Sequence, residues 1–239
     1  LVTGNIVPEA LAVINQIAKT KEAPRLVYGE DYQVSHQGSV RTGEVFDYTG
    51  PLRQGRFQTG LLGIHQIENA GMAITLLDTY CQETGRELAS NNIVAQALAE
   101  TSWPGRLEVA CREPLMILDG AHNPHAIKAL VETLQERFAD YHKEILFTCI
   151  KTKALEYMLD LLETLPDTEL TLTHFDDGRA TDKEVLKKVA YSRNLNYKSW
   201  QSFLDQSMID IEEKKTVRIV TGSLYFLSQV RAYLMERKN

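Results

Sequence analysis

Two rhythms of apolar and polar positions divide the chain. In the first part, residues 8–19 carry apolar positions at helical spacing, with Ala10, Leu11, Ile14 and Ile17 on one predicted stripe. Residues 25–28 predict a short strand. From about Tyr32 to Thr59 the pattern alternates, with turn signals at Gly38, Gly43 and Gly50, and 33–40 and 44–48 predict a small antiparallel meander. Residues 63–81 predict a long amphipathic helix whose Ile64, Ile67, Gly71, Ile74, Leu77 and Cys81 face a core. A second helix is predicted over 91–101. Trp103-Pro104-Gly105 breaks the pattern, so a domain boundary is expected there, with 1–102 before it and 103–239 after.

Beyond the boundary, strand-like runs at 115–118, 145–149, 169–173, 197–200 and 217–221 alternate with helical stretches. The helices are predicted at about 124–139, 154–165, 182–193, 203–213 and 223–237. Such alternation predicts an α/β unit, a mostly parallel sheet with helices on both faces. The charge run Ile211-Glu-Glu-Lys-Lys215 reads as a solvated helix end.

One turn in this second part could carry chemistry. Pro114-Leu-Met-Ile-Leu118 leads into Asp119-Gly-Ala-His-Asn-Pro124, and a helical pattern follows. Gly120 and Ala121 are small enough for backbone or ligand to come close. Asn123 is suited to a helix N-cap, and Pro124 to the first helical position, where its missing N–H is not needed. A carboxylate and an imidazole thus stand beside a helix N-terminus, which favours anions. In open α/β sheets ligands bind at this carboxyl edge of the strands. The same spacing also describes a plain capped strand-to-helix turn.

Composition narrows the partners. The chain has 239 residues, 44% hydrophobic and 24% charged, as expected of a globular protein. Its net charge of -6 argues against a nucleic-acid surface. No run approaches the ~18 apolar residues of a membrane helix. Cys81, Cys111 and Cys149 are odd in number and lack Cys-x-x-Cys spacing, which fits reduced thiols in a cytoplasmic protein. Cys149 has no His or Asn arrangement to make it a nucleophile. No His-Glu-x-x-His pair suggests zinc.

Several motifs resemble those of one family. Trp103-Pro-Gly-Arg-Leu-Glu-Val109, Asp119-Gly-Ala-His-Asn-Pro124 and Thr221-Gly-Ser-Leu-Tyr-Phe226 resemble, in order, motifs of the folylpolyglutamate synthase/dihydrofolate synthase family, a branch of the Mur ligase superfamily. Gly63-Ile-His-Gln-Ile-Glu-Asn-Ala70 resembles its H-Q-x-x-N-A helix, and Val2-Thr-Gly4 the end of its V-V-T-G strand. The resemblance implies a Rossmann-like, mostly parallel C-terminal glutamate-ligase domain. It is preceded by the C-terminal part of an ATP-binding domain that holds the antiparallel meander. The family's G-T-N-G-K-G-S phosphate loop has no counterpart here. Thr59-Gly-Leu-Leu-Gly63 and Thr42-Gly43 lack its lysine. The expectation is therefore a C-terminal portion of a longer enzyme, inactive on its own.

The resemblance also implies roles. Arg106 reaches ATP phosphates, suited by its rigid guanidinium fork. Apart from the resemblance, an extended stretch here would let Glu108, two residues on, hold it by a salt bridge. Asp119 contacts the nucleotide, through ribose hydroxyls. His122 faces the reacting end, near the phosphates or the incoming amino acid. Asn69, one helical turn after His65 and near Gln66, is a nucleotide contact, and all three avoid the apolar stripe. Ser223 is either a helix N-cap or a hydroxyl on the glutamate side. Lys153 is kept where the family more often has D-K-D, but Thr152 and Ala154 replace the acids, which puts their role in doubt.

The implied chemistry is amide formation. ATP, with magnesium held mostly by upstream residues, activates a carboxylate of folate or dihydropteroate as an acyl phosphate, and the amine of L-glutamate attacks it. A monomer is expected by analogy. One rival is a Mur-type ligase adding an amino acid to a cell-wall precursor; such enzymes usually carry Tyr-Ala-His at this turn, and Gly120 argues against it. Another is a non-catalytic nucleotide-binding or interaction module.

Overall fold

The structure is a computed structural model that describes residues 1–151, 154–207 and 215–237. The chain divides into two compact units, Leu1–Ser102 and Trp103–Asn239.

The first unit opens with β1 (Val2–Thr3), α1 (Pro8–Thr20) and β2 (Leu26–Val27), the two strands pairing in parallel. Then β3 (Gln33–Val40), β4 (Gly43–Thr49) and β5 (Gln54–Thr59) form the expected antiparallel meander, followed by α2 (His65–Glu83) and α3 (Asn91–Glu100). Tyr32, Phe46, Tyr48 and Phe57 pack against Ile67, Ala70 and Ile74 of α2 and Val94 of α3. A Cβ on Gly71 would lie 2.5 Å from Val34 Cγ1, so the glycine lets α2 approach the sheet closely. Arg53 ties loop to helices: it donates to both carboxylate oxygens of Asp78 at 2.9 and 2.7 Å, to Asn91 Oδ1 and to the Ala89 carbonyl.

Two predicted stripes are shifted. Ala10 and Ile17 of α1 are exposed, and the buried position of that helix is Ala18. Ile64 and Leu77 are exposed, while Gln66, Thr75 and Asp78 are buried on α2. The reason is polar pairing. Thr75 bonds Tyr48 and Asp78 bonds Arg53, so the packed side of α2 is turned toward those partners. Gln66 is therefore buried, although it lies off the predicted apolar stripe together with His65 and Asn69.

The second unit contains β6 (Glu108–Arg112), β7 (Leu115–Asp119), α4 (Pro124–Arg137), β8 (His142–Phe147), α5 (Leu155–Leu162), β9 (Thr168–Leu172), α6 (Lys183–Ser192), β10 (Asn196–Tyr197), α7 (Trp200–Ser207), β11 (Thr216–Thr221) and α8 (Leu224–Glu236). Among the described residues the sheet order is β10-β9-β8-β11-β7-β6, parallel except for β6, which runs antiparallel to β7. This is the mostly parallel α/β sheet expected from the alternation. Alternate residues serve opposite faces. Met116, Leu118, Leu146 and Val220 pack with Phe203 and Leu204 of α7 and Phe226, Leu227 and Val230 of α8. Ile117, Ile145 and Ile219, equally buried, serve the other face. There α5 and α6 are joined by Arg193, which bonds Glu156, Asp160 and Glu163.

β6 is not anticipated by the alternation, because Glu108, Cys111 and Arg112 give it no apolar period. The strand predicted over 197–200 ends at Tyr197. Trp200 instead starts α7 and packs edge-on to Phe226 and Tyr233. The predicted helix at 203–213 begins early for that reason. Its end lies outside the described residues, as does most of the charge run. Lys215 is described and pairs with Asp140.

Candidate functional site

β7 delivers Asp119 to the carboxyl edge of the sheet, in register with Thr221 of β11. Thr221 is also in register with Phe147 of β8. After β11 the chain turns to α8, which packs over β7 and β11; after β8 it turns through α5 toward β9. Neighbouring strands whose connections part in this way open the crevice where such sheets bind ligands.

Asp119 is 8% exposed and both its oxygens are engaged. Oδ2 accepts the Leu107 N–H at 3.0 Å, and Oδ1 accepts the Ala121 N–H at 2.9 Å. The first bond holds the loop around Arg106 onto β7; the second closes the turn. Burial raises the Asp119 carboxyl above its ordinary pKa, opposed by these two N–H bonds and by the charges of Arg106 and His122. Arg106 and His122 thus both stand near enough to Asp119 to act on its carboxylate.

The two loops interlock through glycines. Gly120 donates its N–H to the Gly105 carbonyl at 2.7 Å. A Cβ on Gly120 would lie 2.4 Å from Leu224 Cδ2 and 3.1 Å from the Gly105 oxygen. Gly105 itself has φ 71°, and Leu107 is held at φ 46°. A left-handed non-glycine residue costs about 1–3 kcal/mol, so Leu107 persists because Asp119 and its buried side chain hold it.

Arg106 is exposed, and its guanidinium forms no ion pair with another described residue. The salt bridge expected from Glu108 is not made. Glu108 instead accepts the Gly105 N–H at 2.9 Å and pairs with Arg231 of α8, also at 2.9 Å. The bulge between Val109 and Cys111 in β6 accompanies this change of partner, and no signal for Arg231 exists in the local sequence. His122 is exposed and its Nδ1 lies 2.8 Å from the Gly120 carbonyl oxygen. A carbonyl only accepts, so Nδ1 carries the hydrogen, leaving Nε2 to accept a proton or, once protonated, to donate. Asn123 caps α4 through the Ala126 N–H at 2.9 Å, with Pro124 in the first turn.

Ser223 occupies the cap position of α8, but its hydroxyl caps nothing. It is 2% exposed and its Oγ has no hydrogen-bond partner, a condition shared by Thr148 Oγ1 at the end of β8. Gly222, at φ 110°, joins the two strand ends: a Cβ there would sit 1.6 Å from the Thr148 carbonyl oxygen. Beside the turn lies an apolar groove of about 350 Å³ lined by Pro104, Leu118, Leu224, Leu227 and Met235. Lys153 and Thr152 lie outside the described residues. Cys149 is buried against Thr181, and burial raises its thiol pKa, as for an inert thiol.

Asn69 belongs to the first unit. It is exposed near the start of α2, and its amide donates to Gln66 Oε1 at 3.1 Å. Gln66 also meets His65 Nε2 at 3.1 Å. Among the described residues no group of three His, Cys, Asp or Glu side chains is placed to hold a metal ion.

A mostly parallel sheet thus carries a Gly-locked carboxylate turn and an exposed arginine at its edge. The family model described as "Mur ligase, glutamate ligase domain" matches residues 105–224. The chain is 31% identical over 238 residues to the dihydrofolate synthase/folylpolyglutamate synthase of Bacillus subtilis, covering 98% of this chain and 54% of that protein. It is similar to the crystal structure of Thermotoga maritima folylpolyglutamate synthase, with TM-score 0.80, 27% identity, 98% of this chain and 54% of that one. The Mycobacterium tuberculosis folylpolyglutamate synthase complexed with ADP and AMPPCP gives TM-score 0.81 and 25% identity over the same shares. The chain belongs to the Mur ligase family, in its folylpolyglutamate synthase/dihydrofolate synthase branch. It spans about half the length of the relatives it matches.

Proposed function

We propose that this chain is part of an ATP-dependent ligase that joins the amine of L-glutamate to a carboxylate of folate or dihydropteroate, releasing ADP and phosphate. ATP supplies the activation, turning the carboxylate into an acyl phosphate. In this reading residues 1–102 belong to the ATP-binding domain and 103–239 form the glutamate-ligase domain. The enzyme works as a cytoplasmic monomer, and the three free thiols are consistent with a reducing compartment.

The observation that carries the reading is the interlocked pair of loops, Gly105 to Gly120 and Leu107 to Asp119, which leaves Arg106 exposed. Arg106 neutralises phosphate charge with its rigid fork. Asp119 keeps that loop in place and retains a second acceptor site on each oxygen for the nucleotide. His122, through Nε2, serves the reacting end. Ser223, with its unsatisfied hydroxyl, serves the glutamate carboxylate side. Asn69, in residues 1–102, is a nucleotide contact of the ATP-binding domain. Magnesium accompanies the ATP phosphates, and its ligands are sought outside the described residues. A Tyr in place of Gly120 would displace Leu224, which favours a folate-type turn over the cell-wall type.

The test is Arg106→Ala in the complete enzyme. Loss of one preorganised charge-stabilising donor lowers the ligation rate about 10²–10³-fold, roughly 3–4 kcal/mol of transition-state stabilisation. Arg106→Lys restores only part. An alanine variant that melts early yet turns over normally would make Arg106 a structural strut and remove it from the site.

A further inference from the structure

Helix α2 starts without a side-chain cap of its own, since Ile64 occupies the cap position. The Gln66 and Ile67 N–H groups turn back to the Gly63 and Ile64 carbonyls, at 2.9 and 3.0 Å. An acid from the neighbouring sheet holds the residue just before the cap position. Glu44 of β4 is 1% exposed, and its Oε1 accepts the Gly63 N–H at 2.8 Å. Gly63 has φ 101°, so the chain turns sharply there before entering the helix. The other carboxylate oxygen is gripped by Ser39 Oγ and lies 3.2 Å from His36 Nε2.

From that anchor hydrogen bonds lead onward. The Gly63 carbonyl accepts the Gln66 N–H at 2.9 Å. Gln66 is buried, and its Oε1 accepts the amide of Asn69. Burying a carboxylate is costly unless it is bonded on every side, and packing alone would be served by a neutral residue. What Glu44 adds is a pair of acceptor oxygens, one on Gly63 before the helix and one held by Ser39.

We propose that Glu44 is a positioning residue for nucleotide binding: by holding Gly63 it fixes the first turn of α2 and so the orientation in which Gln66 offers Asn69. This rests on the reading of Asn69 as a nucleotide contact. It requires no direct contact between Glu44 and ATP.

The experiment measures kcat, KM for ATP and KM for glutamate in the complete enzyme for Glu44→Ala, Glu44→Gln, Asn69→Ala and the Glu44→Ala/Asn69→Ala double variant. Asn69→Ala raises KM for ATP. Glu44→Ala raises it about tenfold, the weight of one hydrogen bond to a charged group, and leaves KM for glutamate unchanged. Glu44→Gln keeps an acceptor oxygen and recovers most of the loss. In the Asn69→Ala background, Glu44→Ala adds nothing further. An equal effect of Glu44→Ala with and without Asn69 overturns the proposal, as does a parallel loss in kcat and both KM values. If Glu44→Ala does not fold, Glu44→Gln in both backgrounds carries the same comparison. An Asn69→Ala enzyme with unchanged KM for ATP overturns the reading of Asn69 itself. Silence of Glu44→Ala beside a responsive Asn69→Ala overturns only the role of Glu44.

Discussion

Asp119→Asn isolates the lock between the two loops. The carboxylate accepts two backbone N–H groups, at 3.0 and 2.9 Å. An amide offers one oxygen, so either the Leu107 or the Ala121 N–H must face an NH2, donor against donor. An unsatisfied buried donor costs about 1–3 kcal/mol, and the strain at Leu107, about 1–3 kcal/mol, loses its restraint. Removing the desolvated charge offsets part of this. The expected net loss is about 2 kcal/mol, or roughly 4–8 °C in Tm for a chain of this size. Trp103 and Trp200 both lie in the second unit, so tryptophan fluorescence during heating reads that unit alone. A transition at the wild-type temperature would refute the lock. The pH dependence gives a second check. Burial raises the folded-state pKa of Asp119. Its contribution is therefore fully present below the unfolded carboxylate value of about 4 and is lost as pH rises through the raised folded value. The lead of wild type over Asp119→Asn narrows across that window, and a lead that widens with rising pH contradicts the assignment.

Further predictions concern individual contacts. Asp78→Ala leaves Arg53 buried and without its main counter-charge, and should cost about 3–5 kcal/mol in urea unfolding followed by far-UV circular dichroism; a loss below about 1 kcal/mol, as for an exposed pair, would mean water already screens Arg53. Gly222→Ala puts a Cβ against the Thr148 carbonyl at φ 110° and should yield little folded second unit. A normal melting temperature would show that this strand edge can yield. Ser223→Ala removes a buried hydroxyl that bonds nothing, so stability should hold or rise slightly. In the complete enzyme the same variant should raise KM for glutamate, and an unchanged KM would take Ser223 out of the substrate site.

How much of this could be read beforehand depended on whether the signal was local. The turn at Asp119 was legible because each of its residues has a conformational job: Asn123 caps, Pro124 opens the helix, and Gly120 admits Leu224 and the Gly105 carbonyl. The parallel sheet followed from the alternation of strand and helix runs. β6 was not legible, since an edge strand paired on one side needs no apolar alternation. Nor was the true packed side of α2. Its orientation is set by Arg53 and Tyr48, which reach Asp78 and Thr75 from elsewhere in the chain, and periodicity counts only apolar residues. The partner of Glu108 was misread for a related reason. Arg106 is two residues away in sequence, but Arg231 arrives from α8, and no local pattern carries that distance.

The place of β11 has a consequence for how the second unit comes into being. It is the last strand among the described residues, yet it lies between β7 and β8, with all six of its residues buried. Until it arrives, β7 and β8 each present an unpaired apolar edge, the kind that recruits other chains. The sheet is therefore finished from its middle, and late, so folding depends on contacts between segments far apart in the chain, which are slow to form. During synthesis on the ribosome the earlier strands must wait for nearly the whole unit to be made. A chain cut just before Thr216 would keep α4 to α7, lose the seam of its sheet, and be a candidate for aggregation rather than a smaller folded domain.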